Sequence, residues 1–250
     1  MNTPTIENIE WLAIPLGPEG PAFPSSWLSC EELARRNRFH DLQHASYWEQ
    51  ARTSLRFVLA SILQTAPPLV PLQLELHGKP FVQTDPDVPP LHFNLSHTRD
   101  LAVIAWSRTT ILGVDVEAYR DIPWQEMARS TLTPRELETG QALPMQSRSR
   151  FFLECWTAKE ALLKGLGIGI AAGTHGIELD LSPSRTCPRA QSIDTALSQW
   201  IADKTLKRFP KLLAANEWQL ASLPVGSCHV ATLAVHARTI CMHRRSIDTL

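Results

Sequence analysis

The chain has 250 residues, of which 44% are hydrophobic and 20% are charged, and its net charge is −1. This is enough apolar material for one large core or two smaller ones, and the composition excludes a disordered or fibrous protein. The nearly neutral charge argues against a general nucleic-acid binder, so an anionic ligand would need a local cluster of positive charge.

The sequence carries no signal for a membrane or for export. Its first residues lack the basic start and continuous apolar stretch of a signal peptide, and no window approaches the roughly 18 apolar residues of a membrane span. The five cysteines are scattered, without the paired spacing of a disulfide framework or a zinc site. We therefore expect a soluble, cytoplasmic protein.

The first half begins with a buried strand predicted at residues 8–14. A proline-rich stretch then prevents regular structure to about residue 27. Ser29 and Glu32 have the spacing of a capping box and predict a helix start. A second helix is predicted at about 45–64. From residue 72 the sequence predicts short strands: LQLEL, KPFVQ, LHFNLSH, LAVIAWS and ILGVDVE.

The second half contains a long helix predicted at 146–164, which follows a capping box at 133–136. A strand near 177–181, a polar loop at 182–190, a helix and the strands EWQLASL and HVATLAVH are predicted after it. Each half thus has helices in its middle and ends in a pair of strands. We expect an α+β fold of two pseudo-equivalent α/β subdomains, 1–110 and 111–250, although one continuous α+β domain would fit the same pattern.

Two acidic residues share one face of the strand that ends in Gly-Val-Asp-Val-Glu. Because alternate strand residues point the same way, Asp115 and Glu117 lie side by side, opposite Val114 and Val116. Paired carboxylates at a strand end suit a hard cation. An ordinary strand with a solvated acidic face would show the same pattern.

One side of the long helix carries Trp156, Glu160 and Lys164, spaced by four residues. This side lies away from the apolar stripe through Ala158 and Leu162. A tryptophan beside the two charged residues fits the wall of a cleft. The alternative is a surface Glu–Lys pair, which contributes only about 0.3–0.5 kcal/mol.

Two short motifs of the first half could meet phosphate. Ser96 and His97 are adjacent and point to opposite faces of a regular strand, so they cannot form a nucleophile–base pair, and the sequence has no Gly-x-Ser-x-Gly elbow. At a strand end both could bind a phosphate. Gly78 and Pro80 predict a turn with Lys79 at its apex, as a point charge for phosphate or as part of a surface hairpin.

Positive charge is concentrated between residues 35 and 56. This stretch contains five arginines and only two acidic residues, Asp41 and Glu49. It is the local basic patch that an anionic ligand would need, although a solvated helix face can have the same composition.

The order and spacing of these motifs resemble the surfactin-type group of the 4′-phosphopantetheinyl transferase superfamily. The motifs are Gly-Lys-Pro at 78–80, Phe-Asn-Leu-Ser-His at 93–97, Gly-Val-Asp-Val-Glu at 113–117 and Trp-Thr-x-Lys-Glu-x-x-x-Lys at 156–164. The resemblance spans roughly residues 30–180. It implies the family's fold, a monomer of two similar α/β subdomains with the active site and coenzyme A in the cleft between them.

The resemblance also implies roles for individual residues. The implied Mg²⁺ ligands are Asp115, Glu117 and Glu160. The implied coenzyme A contacts are Gly78, Lys79, Pro80, Ser96, His97, Asp115 and Lys164. Arg35 or Arg38 would hold the 3′-phosphate, and Arg52 is a candidate for the remaining nucleotide contacts in the second helix. The implied catalytic residues are Glu160, which would deprotonate the acceptor directly or through a metal-bound water, and Lys164, which would pair with phosphate oxygens.

The implied reaction moves 4′-phosphopantetheine from coenzyme A to a serine of an apo acyl or peptidyl carrier protein and releases 3′,5′-ADP. The carrier would belong to fatty-acid, polyketide or non-ribosomal peptide synthesis, and neither nucleic acid nor membrane is an expected partner. Two alternatives share parts of the same chemistry. One is a Mg²⁺-dependent phosphohydrolase, and the other is a non-catalytic module that binds coenzyme A or a carrier protein.

Overall fold

The computed structural model describes residues 6–75, 77–85, 87–168, 173–181, 189–193 and 217–250. The α-helices within these ranges are α1 (Cys30–Arg36), α2 (Leu42–Leu63), α3 (Trp124–Thr131), α4 (Pro134–Ala142) and α5 (Met145–Leu166). The strands are β1 (Ile6–Pro15), β2 (Leu72–Leu74), β3 (Pro80–Val82), β4 (His92–His97), β5 (Leu101–Ser107), β6 (Leu112–Ala118), β7 (Ile177–Asp180), β8 (Arg189–Ile193), β9 (Trp218–Ser222), β10 (His229–His236) and β11 (Thr239–Arg244). The expected α+β class is confirmed.

The predicted helices form where their capping residues place them. Ser29 Oγ accepts a hydrogen bond from the Glu32 amide at 3.2 Å, and the Glu32 carboxylate accepts one from the Ser29 amide at 2.9 Å. Helix α2 begins three residues before the predicted position because Asp41 accepts hydrogen bonds from two amides of its first turn. Gly167, at a φ of 75°, ends α5 close to the predicted boundary. None of the described helices is both long and apolar enough to span a bilayer.

Several elements differ from the prediction. The sequence pattern did not predict α3 or β11, and β8 begins inside the predicted loop at 182–190, whose other residues at 182–188 lie outside the described ones. The helix predicted next falls mostly at 194–216, which also lies outside the described residues.

The described strands form two main sheets and two small hairpins. The first sheet has the order β11-β1-β5-β4, with β11 parallel to β1 and the other pairs antiparallel. The second has the order β6-β10-β9 and is antiparallel throughout. The hairpins are β2-β3 and β7-β8. Strand β11 joins the C-terminal segment to the sheet of the first half, and a division of the chain at residue 110 stays a prediction.

The two sheets pack face to face between α2 and α5. On β5, alternate residues point to opposite faces: Ile104 and Trp106 pack with α2, whereas Val103 and Ala105 join the core between the sheets. On β6, Val114 and Val116 enter that shared core. The intervening residues of β6 therefore face α5, as the alternation in the sequence predicted.

Gly113 allows α5 to approach β6 closely. A Cβ atom at this position would lie 2.1 Å from the Ala161 carbonyl oxygen and 2.2 Å from the Gly165 nitrogen. Any side chain there would push the helix away from the strand. The glycine of the Gly-Val-Asp-Val-Glu motif thus brings the charged side of α5 against the acidic face of β6.

Candidate active site

Asp115 lies at the point where β4, β6 and α5 meet. Its Oδ1 atom accepts hydrogen bonds from Ser96 Oγ at 2.8 Å and from Lys164 Nζ at 2.6 Å. Lys164 Nζ also donates to Ser96 Oγ at 2.8 Å. Asp115 Oδ2 is buried and has no hydrogen-bond partner among the described residues. The structure therefore brings together residues from three separate motifs and leaves one carboxylate oxygen available.

Glu160 is the second acid of the site and is only 2% exposed. Burial, together with the nearby charges of Asp115 and Glu117, raises the pKa of its carboxyl to about 7, while the positive charge of Lys164 opposes this rise. Its Oε1 atom is buried and accepts no hydrogen bond within the described structure. The alternative of a solvated surface Glu–Lys pair is therefore wrong for this side of α5.

Glu117, the third acid, is paired with an arginine. Its Oε2 atom accepts a hydrogen bond from Arg120 Nη1 at 2.6 Å. In the described part of the chain, no group of three or more His, Cys, Asp or Glu side chains is arranged to hold a metal ion. Asp115 and Glu160 nevertheless fit a hard cation, since each has a buried oxygen without a partner.

The remaining residues of the Phe-Asn-Leu-Ser-His motif join the first sheet to the second. Asn94 Oδ1 accepts a hydrogen bond from the Val114 amide at 2.8 Å, which fixes β4 beside β6. His97 Nδ1 lies 3.3 Å from the Thr98 carbonyl oxygen. Burial lowers the pKa of His97, and the positive charges of Lys164, Arg35 and Arg52 lower it further. Burial and these positive charges therefore both favour the neutral form of the His97 imidazole.

The Gly-Lys-Pro turn forms as predicted, but its lysine points to an internal position. Gly78 has a φ of 80° and donates to the Glu75 carbonyl oxygen at 2.9 Å. Lys79 Nζ donates to the carbonyl oxygens of Leu112 at 3.2 Å and Gly165 at 3.0 Å. Desolvation lowers the pKa of Lys79 to about 8. In this structure Lys79 links the β2-β3 hairpin to β6 and to the end of α5 by hydrogen bonds. Its contact with coenzyme A stays a prediction.

Arg35 and Arg38 line a separate pocket, together with Arg52 and Trp48. The sequence identified these arginines as a basic patch but did not predict that Glu32 lies beneath them. It also gave no role to Arg120. Glu32 lies on α1, whereas its partners Arg52 and Arg56 lie on α2. Only contacts within one helix have a regular spacing in the sequence, so no sequence signal predicts this one.

One lysine of the Trp-Thr-x-Lys-Glu motif is structural. Lys159 is 0% exposed, and its Nζ donates to Glu136 Oε2 at 2.6 Å and to the Thr131 carbonyl oxygen at 3.0 Å. The signal for this role is its position on the same helix face as Cys155 and Leu162, which are both buried.

One known family matches the part of the chain that carries the acid site, by which we mean Asp115, Glu117 and Glu160. The profile of the 4′-phosphopantetheinyl transferase superfamily matches residues 111–222, which contain Asp115, Glu117, Glu160 and Lys164. This match places residues 111–222 in the superfamily, and the resemblance of the motifs is confirmed. The narrower surfactin-type group and the arrangement in two subdomains stay predictions.

Several curated relatives are named as phosphopantetheinyl transferases. The chain is 37% identical to 4′-phosphopantetheinyl transferase HetI of Nostoc sp. over 158 residues, which are 63% of this chain and 66% of that protein. It is 27% identical to 4′-phosphopantetheinyl transferase psf-1 of Bacillus pumilus, over 62% of this chain and 65% of the relative. It is 27% identical to the human L-aminoadipate-semialdehyde dehydrogenase-phosphopantetheinyl transferase, over 72% of this chain and 62% of the relative. The matched part thus spans just under two thirds of each relative, and all three relatives are named as phosphopantetheinyl transferases.

Proposed function

We propose that this chain transfers the 4′-phosphopantetheine group of coenzyme A to a serine of an apo acyl or peptidyl carrier protein and releases 3′,5′-ADP. Enzymes of the superfamily use coenzyme A and act on carrier proteins, and the relatives carry this activity in their names. The observation that carries the proposal is the pair of buried carboxylates, Asp115 and Glu160, each with an unpartnered oxygen beside the Lys164 ammonium.

We further propose that Asp115, Glu117 and Glu160 hold a Mg²⁺ ion. Two carboxylates about 5 Å apart repel by about 3 kcal/mol at an effective dielectric constant near 20, so a cation between them would relieve a real cost. When bound, Mg²⁺ would neutralise the diphosphate of coenzyme A and polarise its phosphoryl oxygens. Glu117 would have to exchange its hydrogen bond with Arg120 for this role.

Glu160 is the proposed general base. Its pKa is raised to about 7 in the metal-free structure, and a bound Mg²⁺ would lower it, so the proposal rests on the buried oxygen of Glu160 that has no hydrogen-bond partner in the described structure. It would take the proton of the acceptor serine hydroxyl as the serine oxygen forms its bond to the phosphorus of the pantetheine phosphate. The bond from that phosphorus to the bridging oxygen breaks, and 3′,5′-ADP leaves with its electron pair.

Lys164 is the proposed electrostatic partner of the reacting phosphate. Its side chain is 26% exposed, and Ser96 and Asp115 fix the position of its ammonium. A lysine held in this way can donate to phosphate oxygens with little further loss of side-chain freedom. Ser96 contacts Asp115 and Lys164, and this supports a positioning role besides its predicted contact with coenzyme A.

The test is an incubation of the protein with coenzyme A, Mg²⁺ and a panel of apo carrier proteins, followed by intact-mass analysis. We expect the phosphopantetheine mass on the carrier with the wild-type protein. Glu160→Gln should lower the transfer rate by about 10²–10⁴-fold while binding of coenzyme A persists. A wild-type rate in this variant would remove Glu160 from the mechanism.

The same incubation separates the alternative functions. A phosphohydrolase would release 3′,5′-ADP without modifying the carrier, and a non-catalytic module would do neither.

We also propose, on the basis of the sequence, a cytoplasmic monomer of the surfactin-type group. Light scattering in solution measures the oligomeric state.

A further inference from the structure

Three arginines line one side of a pocket of about 1020 Å³ between α1, α2 and β2. They are Arg35, Arg38 and Arg52, and Trp48 lies among them. We call this the arginine pocket. The guanidinium carbons of Arg35 and Arg52 lie 5.7 Å and 6.0 Å from the centre of the Trp48 ring, a distance at which a cation is attracted to an aromatic face.

Glu32 lies beneath the arginine pocket, and both of its oxygens are used. Oε1 accepts a hydrogen bond from Arg52 Nε at 2.7 Å, and Oε2 accepts from Arg56 Nε at 2.8 Å and from the Ser29 amide at 2.9 Å. Burial alone would raise the pKa of Glu32, but the Ser29 amide and the two arginines hold it below its usual value. Glu32 is therefore an ionised carboxylate shared by two arginines.

The two arginines bound to Glu32 differ in what they have left to donate. Arg56 also donates through Nη1 to the carbonyl oxygens of Pro67 at 3.2 Å and Val70 at 3.4 Å, and only 3% of the residue is exposed. Arg52 bonds Glu32 through Nε alone, and its terminal nitrogens have no hydrogen-bond partner in the described part of the chain. Arg56 therefore has a structural role, whereas the terminal nitrogens of Arg52 can still donate hydrogen bonds to a ligand in the pocket.

The charges around the arginine pocket suit a phosphate monoester. Such a group carries a charge of about −1.5 to −2 near pH 7 and binds best to guanidinium groups that are already fixed in place. The positive charges of Arg35 and Arg52 lower the pKa of His97, as that of Lys164 does, so His97 lies within electrostatic range of both the pocket and the acid site. This arrangement suits a ligand that carries two separate phosphate groups.

We propose that Glu32 is a positioning residue, which holds the Arg52 guanidinium toward the arginine pocket and thereby sets the preference of the protein for an adenine nucleotide with a 3′-phosphate. This inference rests on the proposed function, in which the diphosphate of coenzyme A lies at the acid site and its 3′-phosphate remains to be bound. In this inference Arg52 distinguishes nucleotides with a 3′-phosphate from those without one, and the Glu32 carboxylate fixes the position of its side chain.

The experiment measures binding of two soluble probes, 3′,5′-ADP and 5′-AMP, by isothermal titration calorimetry without metal. Because a hydrogen bond to a charged group contributes about 1.5–3 kcal/mol, we expect the wild-type protein to prefer 3′,5′-ADP by about tenfold or more. Glu32→Gln keeps the side-chain oxygen that caps α1 but removes the charge that orients Arg52. We expect it to reduce the preference by about fivefold or more, mostly through weaker binding of 3′,5′-ADP.

Glu31→Gln is the matched control. Glu31 lines the same pocket but forms no hydrogen bond or ion pair with an arginine of the described structure. Both substitutions remove one negative charge near the ligand, so a general electrostatic effect would strengthen binding of 3′,5′-ADP in both variants. A positioning role predicts that the preference falls in Glu32→Gln and stays at the wild-type value in Glu31→Gln.

Arg52→Lys provides a second variant in case Glu32→Gln does not fold, and it retains the positive charge. We expect it to reduce the preference about as much as Glu32→Gln does. An unchanged preference in the folded Glu32→Gln protein or in Arg52→Lys, or an equal loss in Glu31→Gln, would overturn the inference. Absence of transfer to any carrier by the wild-type protein would refute the proposed function alone, because the nucleotide preference is measured without carrier or metal.

Discussion

Helix α5 carries two lysines of one motif whose ion pairs have the same length but different surroundings. Lys159 Nζ lies 2.6 Å from Glu136 Oε2, and Lys164 Nζ lies 2.6 Å from Asp115 Oδ1. Both side chains of the first pair are 0% exposed, whereas 26% of the Lys164 side chain is exposed. Five residues along a helix turn a side chain by about 140°, so the two ammonium groups serve different sides of α5.

The difference lies in how completely each carboxylate is bonded. Glu136 Oε1 accepts from the Leu179 amide at 2.9 Å, and its Oε2 accepts from Lys159 and from the Thr133 amide. Asp115 has one fully bonded oxygen and one with no partner in the described structure. A buried ion pair whose groups are all bonded supports the fold, whereas a pair with an unused oxygen retains the capacity to bind a ligand.

The largest effect is expected from Lys159→Met. It leaves the Glu136 carboxylate buried without its cation, and removal of one partner of such a pair costs about 3–5 kcal/mol of unfolding free energy. Urea denaturation followed by circular dichroism measures this loss. The folded fraction of the variant should still bind 3′,5′-ADP like the wild-type protein, since neither Lys159 nor its partners Glu136, Thr131 and Thr174 line the arginine pocket.

Lys164→Met is the matched control on the same helix. Asp115 keeps its hydrogen bond from Ser96 and the Lys164 side chain is partly exposed, so the free energy of unfolding should fall by about 1–2 kcal/mol, less than in Lys159→Met. Transfer to a carrier should fall instead, by about tenfold or more, if Lys164 contacts the phosphate. Equal losses of stability in the two variants would mean that the distinction between the pairs is wrong.

The sequence predicted the elements of the acid site better than its contacts. Alternation along β6 predicted that Asp115 and Glu117 share a face, and the spacing on α5 predicted that Glu160 and Lys164 share another. These rules are local, because the strand and the helix each fix the direction of their own side chains. The approach of α5 to β6 depends on Gly113, and only the packed structure shows what a larger residue would touch.

Contacts between distant segments have no comparable signal. Strand β11 pairs in parallel with β1 across more than two hundred residues, and nothing in the periodicity of either strand specifies that partner. The same applies to Lys79, which the motif placed on a phosphate and the structure places on two backbone carbonyl groups. Propensity and pattern predict what a residue can do, whereas tertiary packing decides which partner it meets.

A smaller effect concerns pH and the acid site. The pKa of Glu160 in the folded protein is raised to about 7 from an ordinary value of 4.5, so the folded state binds its proton more tightly than the unfolded state. This contribution to stability is complete below about pH 4.5 and is lost as the pH rises to about 7. Between pH 5 and pH 8 the wild-type protein should lose on the order of 2 kcal/mol relative to Glu160→Gln, whose neutral amide does not titrate.

Urea denaturation of both proteins across this range, without divalent metal, measures the difference. Parallel stability curves would show that Glu160 does not titrate there. Addition of Mg²⁺ at pH 7 should release protons from the wild-type protein and not from Glu160→Gln, which unbuffered titration detects. Proton release of equal size in both proteins would place the metal elsewhere.

The smallest effect is expected at Arg120, whose pair with Glu117 is partly exposed and lies at i, i+3. An exposed pair of this kind contributes about 0.2–1 kcal/mol, so Arg120→Gln should change the free energy of unfolding little. If Glu117 is a metal ligand, the variant should bind Mg²⁺ about twofold more tightly, because the guanidinium no longer competes for the carboxylate.

Arg150→Gln, which breaks the exposed pair with Glu154, is the matched control and should leave Mg²⁺ affinity unchanged. Calorimetric titration with Mg²⁺ compares the two, and Glu117→Gln with wild-type affinity would show that Asp115 and Glu160 hold the ion without the third acid.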